Sequence, residues 1–153
     1  SKQKLKVARI HAKISDSRKD FLHKLSTKLI NENQVICVED LAIKNMVKNH
    51  CLAKSISDAG WSMFVSQLEY KSRWYGRDFV KIDRFFPSTK RCNCCGYVME
   101  SLPLDVRHWK CPSCKAEHDR DTNASLNILA VGTTVLACGE NVSLVSKSIS
   151  RPR

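Results

Sequence analysis

The chain has 153 residues, with 26 Lys and Arg against 15 Asp and Glu, a formal net charge of +11. That length suits one domain with a small appended module and one modest core, and the basic excess points to a polyanion, nucleic acid first and an anionic membrane surface second. No apolar run reaches the ~18 residues of a membrane span, and no secretory signal opens the sequence, so the reducing cytosol is the expected compartment.

Residues 2–30 read as one long helix. Ile10, Ile14, Phe21, Leu25 and Leu29 recur at steps of four and seven, with Leu22 alongside. Nine basic side chains against Asp16 and Asp20 give this segment a net charge of +7, which suits either a solvated outer face or a phosphate-facing surface. Asn31 and Asn33 break the helix. "VICV" is then a β-branched apolar run of the kind found in a strand buried on both faces, with Glu39 and Asp40 at its C-terminal end. Residues 41–57 are mixed. "SDAGWSMFVSQLEYKSRWYG" reads as a helix with Trp61, Phe64, Val65, Leu68, Ser72 and Tyr75 on one face and Gly76 as its stop.

"DFVKIDRFFPS" is a second strand, ended by Pro87. Residues 88–118 are rich in cysteine and poor in periodicity. "DTNASLNILAVG" is a helix from Asp121 to Gly132, and the Ser-rich remainder from 133 to 153 is expected to be a loosely ordered tail. Alternating helices and strands imply a parallel α/β sheet with crossover helices. Two strands alone do not make a stable buried sheet, so the chain is expected to be part of a longer protein.

Eight cysteines are present. In a reducing compartment, clustered cysteines suggest metal ligands before disulfides. Cys92-x2-Cys95, fifteen intervening residues and Cys111-x2-Cys114 form a zinc-ribbon pattern. Each pair sits on a tight knuckle, and Gly96 suits the positive φ such a knuckle needs. A closed four-cysteine site leaves no open coordination position, so this zinc is expected to be structural. Cys94 lies between ligands and is not expected to be one. His118 is expected outside the ligand set, and Cys37, Cys51 and Cys138 are expected to be buried or incidental thiols. Lys90, Arg91, Arg107, Lys110 and Lys115 surround the ribbon and make it a candidate nucleic-acid grip.

Active sites of open α/β sheets lie beyond the carboxyl ends of the strands. Glu39 lies there, and Asp121, opening the last helix, can be brought alongside. Both also have plainer uses: Glu39 as a solvated strand-end residue, Asp121 as an N-cap. Asn123 and Asn127, four apart, share a helix face, and an acid-and-amide cluster suits Mg2+. Hydrolysis of a phosphodiester by two metal ions needs about three carboxylates. Asp83 is the weaker third candidate; Asp40 and Asp119 read as neighbours.

The segments "VICVEDLAIKNMVKN", "SISDAGWSMFVSQLEYKSRWYG", "FFPSTKRCNCCG" and "WKCPSCKAEHDRDTNASLNIL" resemble the OrfB/TnpB family of insertion-sequence proteins over roughly residues 1–132. The resemblance implies an RNase H-fold, RuvC-like nuclease domain interrupted by a zinc ribbon, similar to the nuclease half of type V CRISPR effectors. It implies a link to transposition and, in active members, double-strand DNA cleavage guided by an RNA from the element. The family's catalytic set is Asp, Glu, Asp. Its Glu falls on Glu39 and its last Asp on Asp121, with Mg2+ as the catalytic cation; its ribbon cysteines fall on Cys92, Cys95, Cys111 and Cys114, holding Zn2+.

No segment matches the first Asp or its strand. The expectation is therefore an incomplete RuvC-like fold over 1–87, a zinc ribbon over 88–118, the final RuvC-like helix over 119–132 and a tail. The chain is expected to be inactive alone, with DNA and a guide RNA as partners in the intact family. The alternative is a zinc-ribbon DNA- or RNA-binding module without catalysis.

Overall fold

The computed structural model describes residues 1–46, 48, 53, 60–103 and 105–138. Cys51, residues 57–59 of the expected second helix, and 139–153 of the expected tail lie outside them. The elements are α1 (Lys2–Glu32), β1 (Val35–Glu39), α2 (Ile43–Met46), α3 (Trp61–Tyr75), β2 (Asp78–Ile82), β3 (His108–Lys110), β4 (Glu117–Asp119) and α4 (Arg120–Cys138). β1 pairs with β2, and β3 with β4. Asp78 N–H donates to Gln34 O at 3.0 Å and Asp40 N–H to Ile82 O at 3.3 Å. Both strands thus advance in the same sense, as the crossover reading requires. The chain divides into two compact units: 1–36 with 41–79, and 37–40 with 80–153.

In the first unit, α1 packs on α3. The buried stripe of α1 is Leu22, Ser26 and Ile30, at steps of four, not the stripe expected from Ile10, Ile14 and Phe21, which are all exposed. The expectation failed because a serine occupies the centre of the packed face. Ser26 lies opposite Gln67 and Lys71 on α3, both buried. Lys71 Nζ donates to His23 O (2.8 Å), Ser26 Oγ (2.7 Å) and Thr27 Oγ1 (2.8 Å). All three ammonium protons are therefore used, which is how a buried cation avoids an unmet desolvation cost. Burial still holds the Lys71 pKa below its ordinary value.

Of the face expected for α3, Leu68 and Ser72 are buried, and Tyr75 is exposed. Gly76 ends the helix at φ 60°, ψ 42°, its N–H returning to Ser72 O, a left-handed stop open to glycine at no steric cost. At the N-terminal end of α3, Gly60 (φ 64°) lets the chain pass Leu22, whose Cδ1 would lie 3.0 Å from an added Cβ.

In the second unit, the strand ends lead into the ribbon and then α4. The helix does not stop at Gly132 but runs on to Cys138. Gly132 is buried and faces Cys37, so its missing side chain makes room for a neighbour rather than a helix end. Cys37 is half-buried, and burial pushes its thiol pKa up.

Candidate metal centre and flanking carboxylates

Two similar turns build the ribbon. In the first, Cys92 N–H donates to Tyr97 O (2.7 Å) and Gly96 N–H to Cys92 O (2.8 Å); in the second, Cys111 N–H donates to Ala116 O (2.8 Å) and Lys115 N–H to Cys111 O (3.0 Å). The fourth residue after the first cysteine has positive φ in both, 79° at Gly96 and 65° at Lys115. Gly96 thus fits its expected role. Lys115 adopts the same conformation with a side chain, which sterically costs roughly 1 kcal/mol. An Arg91–Val98 bridge extends the first turn, and β3–β4 extends the second with Trp109 opposite His118. Beneath them Trp109, Cys92 and Cys111 are buried, with Met99, Leu102 and Val106 against them.

The sulfur atoms of Cys92, Cys95, Cys111 and Cys114 all lie within 4.8 Å of one another. Cys92 and Cys114 are 3.7 Å apart, as are Cys95 and Cys111. A tetrahedral ion with metal–sulfur bonds of ~2.3 Å separates its ligands by about 3.8 Å, so the donor set fits such an ion. The thiols also pull one another apart in acidity. The Tyr97 N–H and the three neighbouring thiols lower Cys95 to about 6. The Ala116 N–H favours the Cys114 thiolate, but desolvation and the other three thiols outweigh it and push Cys114 up to about 12. Four thiolates this close need a cation among them, and four close cysteines can hold a metal such as zinc. Cys94 and Cys138 are exposed and outside the cluster.

His118 is also outside the ligand set but touches it. Its Nε2 is 3.0 Å from Cys92 Sγ, and its ring is 4.7 Å from that of Trp109, inclined at 42°. Of the five basic residues around the ribbon, Lys90 reaches Glu100 O (3.1 Å), Lys110 pairs with Glu117 (3.4 Å) and Lys115 reaches Pro112 O (2.9 Å). Arg91 and Arg107 are exposed.

The two aspartates before the last helix divide their work. Asp119, not Asp121, caps α4: its Oδ1 accepts from Asp121 N–H (3.1 Å) and Thr122 N–H (2.8 Å). The Thr122 hydrogen bond above all holds the Asp119 pKa below its ordinary value. Asp121 sits in the first turn with its side chain 67% exposed, 3.3 Å from Arg120 Nε. It is therefore released from the capping role that the sequence left open for it.

Glu39 ends β1 half-buried, and one of its carboxylate oxygens accepts the Ser88 hydroxyl. Its neighbour Asp40 pairs with Arg84, whose Nε is 3.1 Å away. Asp83 Oδ1 accepts Phe85 N–H at 2.7 Å and so closes its own turn. Among the described residues the four cysteines form the one cluster of three or more potential ligands; Glu39 and Asp121 are not joined there by a third carboxylate.

Asn123 and Asn127 have partners, as their spacing implied, but the partners are backbone groups. Asn123 Nδ2 donates to Arg91 O (2.7 Å) while its Oδ1 accepts Asn93 N–H (2.9 Å). Asn127 Nδ2 donates to Ser88 O (2.9 Å) and Arg91 O (2.7 Å). Both side chains are buried. They grip the entry to the ribbon. Ser88, also buried, lies in the segment "FFPSTKRCNCCG" but has no periodicity or charge that could have singled it out.

Comparison with known proteins places the chain in context. Residues 61–128 match the model of the Cas12f1-like TNB domain, and residues 1–50 match the OrfB_IS605 model, described as a probable transposase. A protein of Streptomyces pristinaespiralis named "Putative RNA-guided DNA endonuclease" is 56% identical over 141 residues, which cover 92% of this chain and 35% of that protein. InsQ of Escherichia coli K12, similarly named, is 35% identical over 156 residues, 92% of this chain and 39% of its own length. The TnpB-like protein L79 of Acanthamoeba polyphaga mimivirus is 30% identical over 142 residues, 86% of this chain and 27% of its own. The chain thus spans between roughly a quarter and two fifths of the length of these relatives. The protein chain in a cryo-EM structure of a Cas12f1–sgRNA–target DNA complex has the same fold over 80% of this chain and 36% of that one, with a TM-score of 0.62 at 20% identity. No helix among the described residues is long and apolar enough to cross a membrane.

Proposed function

We propose that this chain, which belongs to the OrfB/TnpB family of insertion-sequence proteins, carries two of the three metal-binding carboxylates of a RuvC-like nuclease and the zinc ribbon that braces them. The carrying observation is that Glu39, Asp121 and the four-thiol cluster fall in one compact unit. In this reading 1–87 and 119–132 are parts of an incomplete RNase H-type fold, and 88–118 is the inserted ribbon. Cys92, Cys95, Cys111 and Cys114 hold a structural Zn2+. Its apparent binding energy, ~10 kcal/mol or more for sites of this class, suffices to order a loop with so small a core.

Glu39 and Asp121 supply hard oxygen donors, which suit Mg2+; bound there, the cation would activate water and steady the leaving oxygen of a phosphodiester. The protein's own contribution is positional. The Ser88 hydroxyl orients the Glu39 carboxylate, and the Asp119 cap relieves the Asp121 carboxylate of capping α4. DNA and a guide RNA are the proposed partners, drawn to the +11 charge.

The 153-residue chain alone is proposed to bind nucleic acid without cleaving it, because no residue here matches the family's first Asp. Binding and Mg2+-dependent cleavage of single- and double-stranded DNA, measured on the zinc-loaded chain, test this. Binding that weakens steeply with salt, without cleavage, is expected. Cleavage abolished by Glu39→Ala overturns the inactivity, and absence of binding overturns the partner assignment.

A further inference from the structure

Asn123, Asn127 and Ser88 form a continuous polar path from the four-cysteine cluster to the end of β1. Cys92 lies between Arg91 and Asn93, whose backbone O and N–H are both held by Asn123 (2.7 and 2.9 Å). Asn127 shares the Arg91 carbonyl (2.7 Å) and spends its other amide proton on Ser88 O (2.9 Å). Ser88 then donates its hydroxyl to Glu39. The exposures are 0% at Cys92, 2% at Asn123, 4% at Asn127 and 4% at Ser88.

Water is thus poorly placed to replace any of these bonds, and breaking one strands a buried polar group. Both protons of each Asn amide are constrained in direction by planarity, so Cys92 cannot shift without straining the bonds on either side of it. Ser88 is tied from two sides: its carbonyl to α4, its hydroxyl to the strand end. Charge-assisted hydrogen bonds to a carboxylate are shorter and stronger than neutral ones, so the hydroxyl fixes one of the carboxylate oxygens rather than merely touching it.

We infer that occupancy of the four-cysteine site sets the placement of the Glu39 carboxylate through Asn123, Asn127 and Ser88, with Ser88 as the positioning residue for Glu39. A metal that fixes Cys92 and Cys95 fixes the backbone at 91–93. The Asn pair then holds Ser88, and Ser88 holds Glu39. The ribbon thereby acts as a metal-dependent brace on the carboxylate site. This rests on the reading of Glu39 as a site residue and of the cysteines as a zinc site.

NMR of the full 153-residue chain tests it, with the Glu side-chain carboxyl carbons and the backbone amides labelled, at fixed neutral pH. Zinc content is measured in parallel. Removing zinc is expected to shift the Glu39 carboxyl signal and the Ser88 amide. Ser88→Ala is expected to shift Glu39 in the same direction while zinc stays bound, and Ser88→Thr to restore the wild-type position. Asn127→Ala is expected to leave zinc bound and to uncouple Glu39 from its removal. A Glu39 signal that is unmoved by zinc removal or by Ser88→Ala, in a chain that retains stoichiometric zinc when loaded, overturns this inference and leaves the zinc reading intact. A chain that takes up no zinc overturns both.

Discussion

The sulfur of Cys37, on β1, occupies the space that a side chain on Gly132 of α4 would need: an added Cβ would fall 2.3 Å from Cys37 Sγ and 3.0 Å from its Cβ. Helix propensity alone would make Gly132→Ala stabilising by about 1 kcal/mol. Overpacking of this kind costs about 1–3 kcal/mol, so the expected net effect is destabilisation. Cys37→Ala in the same chain relieves the tighter of the two clashes and is expected to recover part of the loss. Urea unfolding at saturating zinc measures both variants. A stabilised Gly132→Ala would show that α4 moves away from β1 at little cost.

Asp119, at the ribbon exit, is expected to respond to acid through the helix it caps. Asp119 titrates below its ordinary value because its charged form caps α4. A depressed carboxylate pKa contributes stability that is complete above the unfolded value of ~3.9 and fades as the pH falls through the lower folded value. The Thr122 amide resonance is expected to follow that loss. Asp119→Asn keeps a capping oxygen and is expected to make the resonance insensitive to acid. An equal acid response in Asp119→Asn contradicts the cap.

Cleavage by a longer relative with the same motif separates the roles of these carboxylates. Replacing the residue that matches Asp121 by Ala is expected to abolish cleavage. Replacing the match of Asp119 by Ala is expected to leave more activity, since a frayed first turn perturbs the ligand without removing it. The reverse order refutes the assignment of Asp121.

His118 is expected to protect the metal cluster. His118 Nε2 lies 3.0 Å from Cys92 Sγ; with the proton on Nε2 and a metal on the cysteines, it would donate to the Cys92 sulfur, withdraw charge from it and orient it. Partners of this kind typically change metal affinity by ~10–100-fold. His118→Ala is expected to speed zinc transfer to a chromogenic chelator by a comparable factor. His118→Gln, which keeps an N–H, is expected to fall between the two. Equal release rates in all three would mean that the contact is incidental.

Lys71→Ala is expected to destabilise the α1–α3 pair by about 2–4 kcal/mol, through an apolar stem lost from a packed face and three hydrogen bonds left unmade. Thermal unfolding followed by helical circular dichroism checks this. For the wild type, burial lowers the Lys71 pKa, so the charged form carries a cost below the lowered folded value. That cost shrinks as the pH rises from there towards the unfolded value of ~10.4.

Much of this organisation was legible in the residues. The helix, strand, helix, strand order, the Gly76 stop and the cysteine pairs follow from periodicity, glycine chemistry and spacing, all local signals. The buried face of α1 was not, because Ser26 and Lys71 pair in space from 45 positions apart, and a serine in a core stripe reads as surface. Gly132 reads as a helix end in the sequence because a glycine carries no mark of what presses against it. The Asn123 and Asn127 spacing revealed that partners exist but not that they are backbone groups, and Ser88 carried no periodicity or charge to mark it. Which of Asp119 and Asp121 caps α4 was not legible, because it depends on which carboxylate the helix N–H groups select.

Leu102 and Val106 pack against the buried cluster of Cys92, Trp109 and Cys111. Between those two apolar anchors the chain at Pro103 and Asp105 is exposed. A loop closed at both ends is lengthened cheaply, since each doubling costs only ~0.6 kcal/mol. Pro103 and Asp105 are thus natural attachment points for a peptide tag or fluorophore, able to report on the protein while the cluster and both carboxylates stay in register.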